Sequence, residues 1–207
     1  MRQGYQGDGL DVTDFAAEPF TQFTRWFADA VRAGLAEPNA MVLATASADG
    51  QPSARTVLLK GYDERGFVFF TNYGSRKARE AAENPRASLV FPWHEIGRQI
   101  VVTGSVEWLG REDSEEYFRT RPRDSQLGAW ASQQSATIIS RAELEQHYLE
   151  LSARYPEGTP VPLPEFWGGL RVVPQVVEFW MGRASRLHDR LRYRRRSTIW
   201  MVDQLAP

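Results

Sequence analysis

The sequence predicts a mainly β, antiparallel fold with peripheral helices, an α+β chain whose strands close into a barrel or pack as a sandwich. Three observations carry this. Short segments that alternate apolar and polar residues recur along the chain. The turn signals Asp49-Gly50 and Asp63 to Gly66 join the first of them in hairpin order. Tight hairpin connections of this kind exclude a strand–helix–strand crossover there, and with it a parallel sheet at that end of the chain. The 207 residues read as a single domain, 1–207, with a polar, glycine-containing flexible arm over 1–15.

Each element has a local reason. Residues 18–34 carry Phe20, Phe23, Trp26, Phe27, Ala30 and Val31 at helical spacing, with Pro19 in the first turn and Gly34 as a stop. Residues 40–47 read as a strand, 53–62 as its return strand and 66–72 as a third, together an antiparallel meander. Ser75 caps a short helix that Pro85 ends. Strands follow at 86–93 and 98–109, then helical stretches at about 111–120 and 123–132. Ser140 and Glu143 form a capping box that opens a helix to about Tyr155, and 156–166 is a proline-rich loop. The chain finishes as strands in 168–174, 175–182, 189–195 and 197–205.

Composition narrows the function. The formal charge of -1 speaks against generic nucleic-acid coating. Zero cysteine excludes disulfides, thiolate metal sites and cysteine nucleophiles, and is compatible with a cytoplasmic location. No apolar run reaches the ~20 residues a bilayer span needs, and 1–15 holds no apolar leader. Walker, dinucleotide-fingerprint and G-x-S-x-G motifs are missing, and His94-Glu95 lacks the second histidine of a zinc motif, so no metal is expected. Only two of the 25 basic residues are lysine, Lys60 and Lys77. A GC-rich genome with two leftover lysines is the plain explanation, and two is a small number, but both stand in basic stretches of interest.

Four stretches could carry chemistry. Arg55-Thr56-Val57-Leu58-Leu59-Lys60 brackets an apolar strand with cations; strand parity puts Arg55 and Lys60 on opposite faces, and strand-end charges reaching water are the preferred reading of the segment alone. Thr71 to Lys77 ends a strand in a glycine turn and opens a Ser-capped helix with Arg76-Lys77, which suits an anion or, equally, a solvated turn. In the stretch of Tyr117, Arg121, Arg123 and Ser125, a phenol, a guanidinium and a hydroxyl converging near a helix junction would suit a phosphate monoester; a surface helix with Glu–Arg pairs is the plainer alternative. Arg186, His188 and Arg190 alternate, so in a strand they share a face that is costly to bury without an anion. Arg192 to Arg196 reads as a charged hairpin strand rather than an RNA patch. The residues alone point to one or two phosphorylated small molecules and to no particular reaction.

The segments RTVLLK, TNYGSRKA, FPWHEIGRQI, YFRTRPRDSQLGAWASQQS, FWGGLRV, VEFWMG, RLHDRL and the closing DQLAP run in one order from Arg2 to Pro207. Together they resemble the pyridoxine/pyridoxamine 5'-phosphate oxidase family. The resemblance implies a split β-barrel homodimer with FMN in two equivalent interface sites. It assigns the flavin to Arg55, Thr56, Val57, Leu58, Leu59, Lys60, Phe70, Thr71, Arg76, Lys77 and Gln99. It brings Gln134, Ser135, Trp180 and Arg190 from the other subunit. It gives the substrate phosphate to Lys60, Tyr117, Arg121 and Ser125, and sets Arg186 and His188 over the pyridine ring as catalytic residues. Arg2 and Tyr5 match an arm that folds over the occupied site. The implied reaction converts pyridoxamine or pyridoxine 5'-phosphate to pyridoxal 5'-phosphate, with dioxygen reoxidising the flavin to give hydrogen peroxide. Two departures stand out: Phe70 where the family often has tyrosine, and Gln204 where an arginine is expected. Two other readings of the same fold are a flavin oxidase on another substrate, such as a phenazine, and a non-enzymatic flavin or pyridoxal phosphate carrier.

Overall fold

A computed structural model describes Thr13 and residues 15–207; Arg2, Tyr5 and most of the arm lie outside the described residues. The first helix, α1 (Pro19–Arg32), starts at a proline and buries Phe20, Phe23, Trp26 and Ala30 on one stripe. The strands β1 (Ala40–Ala46), β2 (Pro52–Leu58), β3 (Gly61–Asp63) and β4 (Gly66–Asn72) precede α2 (Arg76–Glu83). Then come β5 (Arg86–Trp93), β6 (Arg98–Trp108), α3 (Arg111–Thr120), α4 (Arg123–Ala131) and α5 (Arg141–Arg154). The chain closes with β7 (Trp167–Met181), β8 (Asp189–Arg196) and β9 (Ile199–Leu205).

The nine strands among the described residues form one antiparallel sheet in the order β2-β1-β5-β6-β7-β4-β3, with β8 on β7 and β9 on β8. The expected meander is corrected here. The return strand over 53–62 breaks at Leu59-Lys60 into β2 and β3, and these two are the ends of the main strand order. The break is fixed by two backbone bonds that pull adjacent residues to different partners. Leu59 N–H donates to the Asn39 carbonyl and Lys60 N–H to the Val68 carbonyl, both at 2.8 Å. The curled sheet is therefore closed by two residues of chain and not by a ladder, which leaves a split between β2 and β3.

A second correction concerns 168–174 and 175–182, which are one strand, β7. The β6–β7 register pairs Thr103 with Val176 and Gly104 with Pro174, so Gln175 is the extra residue of a bulge. Pro174 lacks an N–H for the ladder, and the bulge is where a sheet tolerates it. The bulge also divides one edge of β7: residues 167–172 pair with β4, and residues 176–181 pair with β8. Gly104 is required there, because a Cβ would lie 1.9 Å from the Val173 carbonyl oxygen. Gly104→Ala is expected to cost about 3 kcal/mol through this overpacking, seen as a lower denaturant midpoint in equilibrium unfolding.

The core lies between α1 and the sheet. Phe23 meets Phe67 and Phe91 edge-on at 4.9 and 5.0 Å, a preferred aromatic geometry. A second cluster of Phe118, Leu127, Val161, Leu163 and Trp167 packs the helices α3 to α5 and the proline-rich loop onto the start of β7. Arg123 belongs to this support and not to a ligand site: its guanidinium donates to the carbonyls of Tyr155, Pro156 and Thr159. The hairpin β8–β9 carries the basic run, and Asp203 accepts from both Arg192 and Arg194. Among the described residues no helix is long and apolar enough to cross a membrane.

Candidate active site

A cleft of about 510 Å³ opens at the split in the sheet. It is lined from β2 and the link by Arg55, Thr56, Val57, Leu58 and Lys60, and from β4 and α2 by Phe70, Thr71 and Lys77. Tyr117, Arg121, Ser125, Gln134 and Trp167 complete it, with Thr120 and Pro122. Strand parity places Arg55 and Lys60 on opposite faces, but the strand ends at Leu58 and the link turns Lys60 to the same cleft. Leu59 is a correction: it is buried in the main core and does not line the cleft. The parity that is lost for Lys60 is spent on turning Leu59 inward.

One group of donors surrounds the start of α2. Ser75, fully buried, caps the helix by accepting from the Ala78 N–H. Lys77 Nζ donates to Thr71 Oγ1 at 3.1 Å and to Gln134 Oε1 at 2.8 Å, and Thr71 Oγ1 donates to the same Gln134 oxygen at 2.9 Å. The Arg76 backbone N–H donates to Ser135 Oγ at 3.1 Å. Gln134 and Ser135 thus sit on Thr71, Arg76 and Lys77 of their own chain, a correction to the expectation that a partner subunit brings them. Burial, helped by the neighbouring Arg55 charge, lowers the Lys77 ammonium to about 8. An ammonium desolvated beside a guanidinium is electrostatically short of an anion. Arg76 itself turns its side chain away from the cleft, to Glu80.

A second group is built on aromatic rings. Phe70, Tyr117 and Trp167 stand nearly parallel: Phe70 lies 4.0 Å from Tyr117 at 16° and 5.4 Å from Trp167 at 12°. The missing hydroxyl at Phe70 leaves this stacking intact. The Arg121 guanidinium covers Trp167, with Cζ 4.6 Å from the ring centroid. Arg121 ends α3, where Pro122 stops the helix, so the side chain leaves at the cleft wall. Its Nη1 is buried without a hydrogen-bond partner among the described residues, and burial lowers its pKa. Trp167 was not singled out by sequence reasoning; a tryptophan beside a glycine pair reads as core until the rings of β4 and α3 are placed against it.

A third group is elsewhere. Gln99 stands opposite Trp180 across β6–β7, and Trp180 opposite Arg190 across β7–β8, so the three form a row on one face. The His188 ring lies 4.7 Å from Trp180, and His188 Nδ1 accepts from the Arg183 N–H at 3.0 Å. Arg190 binds Glu178 through two bonds of 2.8 and 3.1 Å. The predicted alternation of Arg186, His188 and Arg190 along a strand is corrected: β8 begins only at Asp189. Ser185 and Arg186 hold left-handed backbone, φ 57° and 61°, which breaks the extended run before it starts. None of Gln99, Trp180, Arg186, His188 and Arg190 lines the cleft of its own chain. Gln99, expected with the first group, therefore belongs with the third.

A curled antiparallel half-barrel with a cationic, aromatic-walled cleft at its split is a split β-barrel with a site suited to an anionic, ring-bearing ligand. Comparison with known proteins agrees. Residues 27–155 match the family model described as pyridoxamine 5'-phosphate oxidase, and residues 167–207 match that of the pyridoxine 5'-phosphate oxidase C-terminal dimerisation region. The chain belongs to the pyridoxine/pyridoxamine 5'-phosphate oxidase family, whose cofactor is FMN. It is 59% identical to the pyridoxine/pyridoxamine 5'-phosphate oxidase of Streptomyces avermitilis, over 100% of this chain and 95% of the relative. The corresponding protein of Escherichia fergusonii is 51% identical, over 100% and 94%. Among solved structures, PhzG of Burkholderia lata in complex with tetrahydrophenazine-1-carboxylic acid superposes with a TM-score of 0.90 at 37% identity, covering 97% of this chain and 98% of that one.

Proposed function

We propose that this protein oxidises pyridoxine and pyridoxamine 5'-phosphates to pyridoxal 5'-phosphate, acting in the cytoplasm as a single-domain FMN-dependent homodimer. Dioxygen is the acceptor, hydrogen peroxide the product, and the amine substrate also yields ammonia. The observation that carries this is two separate sets of anion donors in one aromatic-walled cleft. Two phosphate monoesters, one on the cofactor and one on the vitamer, match them.

The residues present fit FMN. The donors Lys77, Thr71 and Arg55 and the N-terminus of α2 suit its phosphate, with Gln134 and Ser135 beside them. When bound, FMN supplies a hydride acceptor that dioxygen reoxidises. The chain's own part is to bind and orient. Lys60, Tyr117, Arg121 and Ser125 take the vitamer phosphate, and the buried, unpartnered Nη1 of Arg121 gains an acceptor there. The row of Gln99, Trp180 and Arg190, with Arg186 and His188, completes the partner's cleft, since it does not reach its own; the match of 167–207 to a dimerisation region supports this. Arg186 and His188 then position the pyridine ring, which holds the reacting carbon at attack distance.

A second reading, oxidation of a phenazine, draws support from the similarity to PhzG. Turnover of phosphorylated and dephosphorylated vitamers, followed as peroxide, separates the two. The phosphate-dependent enzyme is expected to discard the dephosphorylated forms; equal turnover overturns it.

Lys77 sets a pH dependence. FMN phosphate is a dianion above its second pKa near ~6 and needs the charged ammonium. In the free cleft that ammonium is half neutral at about 8. The FMN Kd is therefore expected to be flat between about pH 7 and 8 and to rise towards tenfold per unit above it, as each binding event takes up a proton. Titrations of flavin fluorescence at several pH values check this, and Lys77→Met is expected to abolish the slope.

A further inference from the structure

Glu80 is a buried carboxylate, 5% exposed, on α2 one turn beyond Arg76. Sequence reasoning passed over it. Its Oε1 accepts from Arg76 Nε at 2.7 Å. Its Oε2 accepts from Thr45 Oγ1 and Ser53 Oγ, each at 2.5 Å, with Arg55 Nη2 at 3.5 Å. The same two hydroxyls accept from Arg55, Thr45 Oγ1 from Nη1 at 2.6 Å and Ser53 Oγ from Nη2. A carboxylate only accepts, so it makes both hydroxyls donate to it and turns their lone pairs to the guanidinium. Burial opposes ionisation of Glu80, but the hydrogen bonds from Ser53, Thr45 and Arg76 outweigh it and hold the group at about 2. It is thus an anion throughout the working pH range.

We infer that Glu80 is a positioning residue for the cofactor phosphate: directly and through Thr45 and Ser53 it fixes the Arg55 guanidinium in the cradle that Arg55, Lys77 and Thr71 form. The inference rests on the reading that this cradle takes the FMN phosphate. Glu80→Gln is informative because it is nearly isosteric. It keeps one acceptor oxygen and loses the charge: whichever way the amide turns, its NH2 faces either Arg76 or the two hydroxyls, and the anion that holds Arg55 is gone.

The test titrates the full-length chain, freed of flavin, with FMN and with riboflavin, following flavin fluorescence. Wild type is expected to prefer FMN. Glu80→Gln is expected to bind FMN about tenfold more weakly with riboflavin affinity unchanged, and Ser53→Ala to shift the same ratio about threefold. Unchanged FMN binding in Glu80→Gln overturns the inference, as does an equal loss for both flavins, the mark of a general packing role. Should Glu80→Gln fail to fold, an unchanged FMN-to-riboflavin ratio in Ser53→Ala overturns it instead. A wild type without preference for FMN removes the reading of the cradle itself, and this inference with it.

Discussion

Arg121→Leu is expected to lower kcat/KM for pyridoxine 5'-phosphate by about a hundredfold to a thousandfold, with FMN affinity unchanged. The guanidinium is desolvated against Trp167, and its Nη1 has no hydrogen-bond partner among the described residues. A charge pair formed there with phosphate is worth about 3–4 kcal/mol, because the cleft wall has already removed competing water. The loss is expected mainly in KM, since the phosphate is held alike in ground state and transition state. Arg121→Lys is expected to recover only part of it: an ammonium carries the charge but neither stacks as a plane nor presents a two-pronged donor. Steady-state kinetics over a wide substrate range check both. An Arg121→Leu enzyme within tenfold of wild type would place the vitamer phosphate elsewhere.

Mixing two inactive variants is expected to restore activity. Arg121 lines the cleft, whereas Arg186 does not reach the cleft of its own chain. If each active site takes Arg121 from one subunit and Arg186 from the other, Arg121→Leu and Arg186→Ala damage opposite halves. A heterodimer of the two holds one doubly damaged site and one intact site. Random reassortment makes about half of the dimers mixed, so about a quarter of all sites recover. Arg186→Ala alone is expected to lose most turnover of pyridoxine 5'-phosphate. Activity is measured before and after subunit exchange; no recovery would mean that both residues serve the same chain's site, or that Arg186 serves none.

Local structure was legible where local physics decides it. The helix α1 follows from its apolar stripe and Pro19, and α2 from Ser75 and Pro85. Strand partners were not, because pairing is chosen by distant surfaces. The turn at 63–66 is a real hairpin, yet β4 passes over β2 for β7, pairing Phe67 with Val172. The cleft shows the same division. Lys60 and Lys77 were visible as cations in suggestive stretches, but parity separated Lys60 from Arg55 because a two-residue break at Leu59 leaves no compositional mark. The alternation of Arg186, His188 and Arg190 assumed an extended chain, and left-handed serine and arginine carry no such signal as glycine would. Glu80 was readable as a helical i,i+4 partner of Arg76, a pairing that is usually a surface one; its burial depends on β1 and β2, which the helix does not announce.

The most direct measurement is an absorbance spectrum of the FMN-loaded protein under anaerobic conditions, before and after pyridoxine 5'-phosphate is added. One cleft holding both monoesters predicts prompt bleaching of the flavin band with the phosphorylated vitamer, little with pyridoxine itself, and return of the band on admitting air. A band that persists with the phosphorylated vitamer, or bleaches equally with pyridoxine, would contradict it.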